Sequence, residues 1–80
     1  MVEKRTQPRH RVLKHATLTF DGGGGVECTV RNLSPGGARL DVANPFGLPQ
    51  SFTLFIETDR FLRRCRPVWC SDSRIGVAFH

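Results

Sequence analysis

At 80 residues, with 39% hydrophobic content, six Phe and one Trp, the chain can build one small core and no second, since a domain this short buries only about 60% of its unfolded surface. That scale argues against a deep catalytic cleft, and no apolar run approaches the roughly 18 residues that span a bilayer. A formal net charge of +5 points to an anionic partner without naming one.

Residues 1–11 are polar and basic, and Pro8 disfavours helix at Gln7, which predicts a flexible basic arm ahead of a folded domain over residues 12–80. The run 12–20 then alternates as a strand does: Ala16, Leu18 and Phe20 share one face, His15, Thr17 and Thr19 the other. Asp21 and four glycines make a hairpin tip; they lack the G-K-[ST] and following helix that a phosphate loop needs. In a second strand Val26, Cys28 and Val30 alternate with Glu27, Thr29 and Arg31, and this strand stops at a turn, N-L-S-P-G-G, over residues 32–37. A third sets Ala38, Leu40 and Val42 against Arg39 and Asp41. Two prolines and a glycine make 43–50 a loop. Phe52, Leu54 and Ile56 give a fourth strand, a turn follows near Thr58 and Asp59, and 61–70 is a fifth strand in which Pro67 demands an edge position or a bulge. After a turn at 71–74, Ile75, Val77 and Phe79 alternate with Gly76, Ala78 and His80 in a sixth. Six short strands at intervals of about ten residues, with no 3.6-residue period, predict an all-β fold, a small antiparallel barrel or sandwich.

Two short patterns carry chemistry. Arg5 and Arg9, in R-x-x-x-R, would lie about 13 Å apart on one side of an extended arm. An arginine fork donates in pairs to guanine O6 and N7 or to phosphate oxygens, and its flat face stacks on a base. Asn32, Ser34 and Gly37, in N-x-S-x-x-G, supply a carboxamide for a guanine edge, a hydroxyl, and a residue that allows close backbone approach or a positive φ. Singly, the first pattern is any basic tail and the second an ordinary turn composition. Together and in this order they suit a compact, doubly phosphorylated nucleotide.

Over nearly its whole length the chain resembles PilZ domains, the bacterial receptor modules for cyclic di-GMP. K-R-T-Q-P-R at 4–9 is similar to the family's arginine motif, N-L-S-P-G-G-A-R-L at 32–40 to its (D/N)-x-S-x-x-G motif and following strand, and V-W-C-S-D-S-R-I-G-V-A-F at 68–79 to its closing hairpin. The resemblance implies a six-stranded antiparallel β-barrel, here without a long C-terminal helix, whose arginine arm wraps the ligand against the second motif. It implies that Arg5 and Arg9 contact guanine and phosphate, that Asn32, Ser34 and Gly37 hold a guanine edge and nearby ligand oxygens, and that Trp69, a frequent family tryptophan, packs in the core or at its rim. Lys4 takes the place that influences, in the family, how many ligand molecules bind. The implied protein is a cyclic di-GMP receptor, not an enzyme, that signals by ordering its arm and contacting a downstream protein. One departure stands out: Asn32 replaces the more usual aspartate, and a neutral amide offers one acceptor oxygen where a carboxylate offers two.

The remaining residues add no second chemistry. Cys28, Cys65 and Cys70 cannot all pair and form no C-x-x-C, which predicts reduced, mostly buried thiols. Cys65 and Cys70 with His80 match no zinc spacing, so neither metal nor cofactor is expected. The opening M-V-E-K-R has no apolar segment and no cleavage site, so a cytoplasmic protein without membrane insertion is expected. His10 and His15 have no nucleophile near them in sequence, and Ser34 sits on no strand-to-helix elbow. Two alternatives stand beside the receptor: a small basic barrel that binds RNA or single-stranded DNA, and a PilZ-like protein-interaction module that binds no nucleotide. Against the first, the chain has no Tyr, and Phe20, Phe52 and Phe79 fall on core faces where they cannot stack on bases. The intact motifs argue against the second.

Overall fold

The computed structural model describes residues 10–80, so Arg5, Arg9 and the rest of the expected arm up to residue 9 lie outside the described residues. Alternation at period two translates into six strands: β1 (His10–Thr19), β2 (Gly25–Ser34), β3 (Gly37–Val42), β4 (Phe52–Ile56), β5 (Phe61–Ser71) and β6 (Arg74–Phe79). They close into one antiparallel barrel in the order β1-β2-β3-β6-β5-β4. The all-β barrel is therefore found, and the sandwich is not. A single 3-10 turn, Glu57–Asp59, is the one helical element among the described residues, closed by Arg60 in the left-handed region at φ 52°.

The inward faces make the core. Leu18, Val30, Leu40, Phe52, Leu54 and Ile56 have no exposed surface, and no polar or charged residue among those described is fully buried. Each such side chain contributes roughly 1.5–3 kcal/mol by leaving water. Phe20 meets Phe52 edge-on at 6.4 Å between ring centres, and Phe79 meets Phe61 at 5.5 Å. Phe20, Phe52 and Phe79 thus serve packing, as their strand positions predicted.

The barrel closes through a narrow seam. β1 and β4 share three register pairs, from Thr17 opposite Phe55 to Thr19 opposite Thr53. Polar clamps flank this short ladder. Arg64 of β5 reaches across β4 and donates from Nη1 to Asp21 Oδ1 at 2.7 Å, and from Nη2 to Asp21 Oδ2 at 3.1 Å and Ser51 Oγ at 2.8 Å. The glycine-rich hairpin tip is held to the barrel wall in this way. Within the tip Gly23 and Gly24 take φ of 100° and 83°, a left-handed path that glycine follows without strain. At the other end of the seam Lys14 Nζ donates to Asp59 Oδ2 at 2.6 Å.

Three bulges decide which residues face outward. The β1–β2 register shifts between Arg11 and Lys14, the β2–β3 register between Val30 and Asn32, and the β5–β6 register between Pro67 and Trp69. In β2 the extra residue, Arg31, reverses the alternation. Cys28 and Val30 point inward before it, Leu33 packs against the core after it, and Asn32 and Ser34 are left on the outer face. Pro67, expected at an edge or a bulge, lies at a bulge.

The turn read over residues 32–37 is corrected to Pro35 and Gly36 alone. Asn32, Leu33 and Ser34 end β2 and pair with Arg39, Ala38 and Gly37, because the bulge lets the ladder run on to a tight hairpin. The lengthened β2 also offers partners to His10 and Arg11, which pair with Leu33 and Asn32, so β1 begins two residues before the expected boundary. The last turn likewise shrinks to Asp72 and Ser73, since Ser71 and Arg74 are paired. Cys28 and Cys65 are buried free thiols as predicted; Cys70, beyond the β5 bulge, is an exposed one.

Candidate functional site

Ladder pairing brings together residues that the chain keeps apart. Arg11 lies opposite Asn32, Asn32 opposite Arg39, Arg39 opposite Gly76, and Gly76 opposite Trp69. Because Leu33, Leu40, Ile75 and Val77 occupy the inward positions beside them, these five form one row on the outer face of β1, β2, β3, β6 and β5. At about 4.8 Å per strand the row spans about 19 Å along the curved sheet. A second row beside it runs Ser34, Gly37, Ala78 and Arg66.

Each member has a local reason for its place. Gly76 carries no side chain because the Trp69 indole lies there: a Cβ would collide with Nε1 and Cε2 of the ring. Trp69 therefore packs over the β6 backbone at Gly76, 46% exposed, at the rim and not in the core. Gly37 does not take a positive φ; a Cβ on it would collide with the Val77 carbonyl oxygen, so its close approach is to β6. Ser34 Oγ donates to the Gly37 carbonyl at 3.3 Å and holds the hairpin shut. Asn32 Oδ1 is buried and has no hydrogen-bond partner among the described residues.

The electrostatics of this face are one-sided. Arg39 divides two grooves of about 200 Å³ each, one lined by Ser34, Gly37, Trp69 and Gly76, the other by Arg11, Arg31 and Asn32. Arg31 is paired with Asp41 at 3.1 Å. Arg11, Arg39 and Arg66 have no acidic partner among the described residues. A roomier groove of about 300 Å³ opens by His15, Glu27, Thr29 and Asp41, but no Arg or Lys lines it to hold an anion, and it is set aside on that ground. Cys28 and Cys65 are poor nucleophiles, because burial pushes Cys28 up to about 12 and Cys65 up to about 11, leaving both protonated at neutral pH. No group of three or more His, Cys, Asp or Glu that could hold a metal occurs among the described residues.

The sequence that folds into this row matches a known family. The PilZ domain profile covers residues 3–80. The chain belongs to the PilZ family. No curated protein matches it. Membership makes this PilZ domain a member of a cyclic di-GMP receptor family, whose modules typically bind and do not catalyse. No helix among the described residues is long and apolar enough to cross a membrane.

Of the residues singled out from spacing, the PilZ barrel brings Asn32, Ser34 and Gly37 to one face; Arg5 and Arg9 lie outside the described residues. Spacing did not single out Arg11, Arg39 or Arg66. Arg39 had a signal, since its alternation with Ala38 and Leu40 already sent it outward. Arg11 and Arg66 had none, because only the cross-strand register sets them beside the motif.

Proposed function

We propose that this PilZ domain binds cyclic di-GMP on the outer face of β1, β2, β3, β6 and β5, with the N-terminal arm closing over the ligand. The observation that carries the reading is the row Arg11, Asn32, Arg39, Gly76 and Trp69. Arg39 and Arg11 offer planar forks to phosphate oxygens and guanine O6 and N7. Asn32 Oδ1 takes a base N–H, and the indole over Gly76 gives a flat wall for a purine. Ser34 and Gly37 shape the hairpin against which a phosphate or ribose edge rests. Arg5 and Arg9 approach from the arm: covalent geometry keeps Arg9 within about 7 Å of Arg11 along the chain. Binding orders the arm across the Asn32 hairpin and creates the surface that a downstream protein reads, and part of the binding energy offsets the lost chain entropy.

Calorimetric titration with cyclic di-GMP tests this. Arg39→Ala, Arg5→Ala and Arg9→Ala each remove charge-assisted hydrogen bonds of roughly 1.5–3 kcal/mol, so each should weaken binding by about 10- to 100-fold without lowering the melting temperature. Wild-type affinity in all three variants would sink the reading. A short single-stranded RNA binding tightly in moderate salt, with no response to cyclic di-GMP, would replace it with the nucleic-acid alternative. Hydrogen exchange supplies the signalling test: protection should rise in the arm and the hairpin on ligand addition, while the strands change little.

A further inference from the structure

We propose that Asn32 opens one base position of this site to adenine as well as guanine, so that the domain takes a mixed cyclic dinucleotide about as well as cyclic di-GMP. The inference rests on the cyclic dinucleotide reading above and deepens it to the choice of base. Asn32 Oδ1 is buried without a hydrogen-bond partner among the described residues, although guanidinium groups stand on both flanking ladder positions, Arg11 and Arg39. A buried acceptor left open is unfavourable until a donor reaches it. Both purines bring one. Guanine presents N1–H and the exocyclic amine, and adenine presents its own exocyclic amine.

What separates the bases is the atom beside that donor. A carboxylate has two acceptors and no donor, which fits the paired N–H groups of guanine and faces a repelling lone pair at adenine N1. A carboxamide sets one NH₂ beside one oxygen, whichever way the amide is turned. It can pair with adenine through the exocyclic amine and a ring nitrogen, and with guanine through N1–H and O6. Asn32 therefore removes a rejection that aspartate would impose. The arginines keep theirs, since a guanidinium fork fits guanine O6 and N7 and meets a like donor at the adenine amine. One base position becomes permissive while the position read by arginine stays with guanine, giving the order cyclic di-GMP and mixed cyclic GMP–AMP first, cyclic di-AMP last.

Titration of the full chain with cyclic di-GMP, mixed cyclic GMP–AMP and cyclic di-AMP, beside Asn32→Asp, decides it. The wild type should bind the mixed ligand within about tenfold of cyclic di-GMP, and Asn32→Asp should widen that gap by about tenfold or more, the discrimination a bidentate pair supplies. A wild type that binds cyclic di-GMP but takes the mixed ligand more than about tenfold more weakly overturns the inference and leaves the receptor reading standing. An unchanged ratio in a well-folded Asn32→Asp overturns it equally. If that variant melts early, the wild-type ratio decides alone. A wild type that binds none of the three ends the receptor reading and this inference with it.

Discussion

At the residue scale, the pairing of Gly76 with Trp69 shows a side chain specified by the absence of another. The indole occupies the volume of a Cβ that Gly76 does not have. Gly76→Ala must push the ring off the β6 backbone, and because Trp69 is the sole tryptophan, its emission reports the event directly. A red shift is expected, together with about a tenfold loss in cyclic di-GMP affinity as the flat wall moves. An unshifted spectrum would mean that the ring has another resting place. The cysteines differ in the same local way. Cys70 is exposed, whereas Cys28 and Cys65 are buried, with thiols held in the protonated form. Brief iodoacetamide treatment of the folded protein should add one label, on Cys70, as read by intact mass and peptide mapping. Rapid labelling of Cys28 or Cys65 would contradict the packing.

Between elements, the short β1–β4 seam is flanked by charged clamps. The Arg64 guanidinium, through its hydrogen bonds and then its charge, holds the Asp21 carboxyl below the ordinary value of 3.8, and Lys14 does the same for Asp59. A carboxyl depressed on folding contributes stability that is present above its unfolded pKa and is lost as pH falls through the folded one. Both clamps are therefore whole at neutral pH and weaken as acidity passes 3.8 and below. Melting temperature should fall across that window, and the fall should be smaller in Asp21→Asn, which has no proton to take up at that position. Identical acid profiles for wild type and Asp21→Asn would remove the hairpin clamp from the account. Gly37 also belongs to this scale. Its closeness to Val77 is a β3–β6 requirement, so the last position of the N-x-S-x-x-G pattern is demanded by the barrel even before any ligand is considered.

For the whole molecule, the buried residues among those described belong to one core, and among the described residues no second core can compensate for damage to it. Leu40, fully buried where β3 lies between β2 and β6, tests this. Leu40→Ala should cost about 2–5 kcal/mol, a large share of the roughly 5 kcal/mol expected of so small a domain. Chemical denaturation should show a midpoint lowered accordingly, and a loss below about 1 kcal/mol would mean that the barrel repacks around the gap. Charge is distributed over the molecule with the same economy. Glu27 and Asp41 line one groove of the outer surface and Arg11 and Arg39 another, and the Arg31–Asp41 pair stands between the two.

Period-two alternation was enough to reveal the strands, the all-β class and the inward residues, because which face a side chain takes is a local property of an extended backbone. Pro67 narrowed its place to an edge or a bulge, since a residue without an N–H cannot donate to a ladder. The Asn32, Ser34 and Gly37 pattern was visible because its members are close in the chain. Cross-strand register was not visible in this way. That β3 pairs with β6 and not β4, that Arg31 bulges and returns Asn32 to the outer face, and that Arg11, Arg39, Gly76 and Trp69 fall into one row are consequences of ladder pairing between distant segments. Alternation assigns each residue a face but leaves open which partner stands opposite; closing six strands around one core selects that register, and with it the composition of the site.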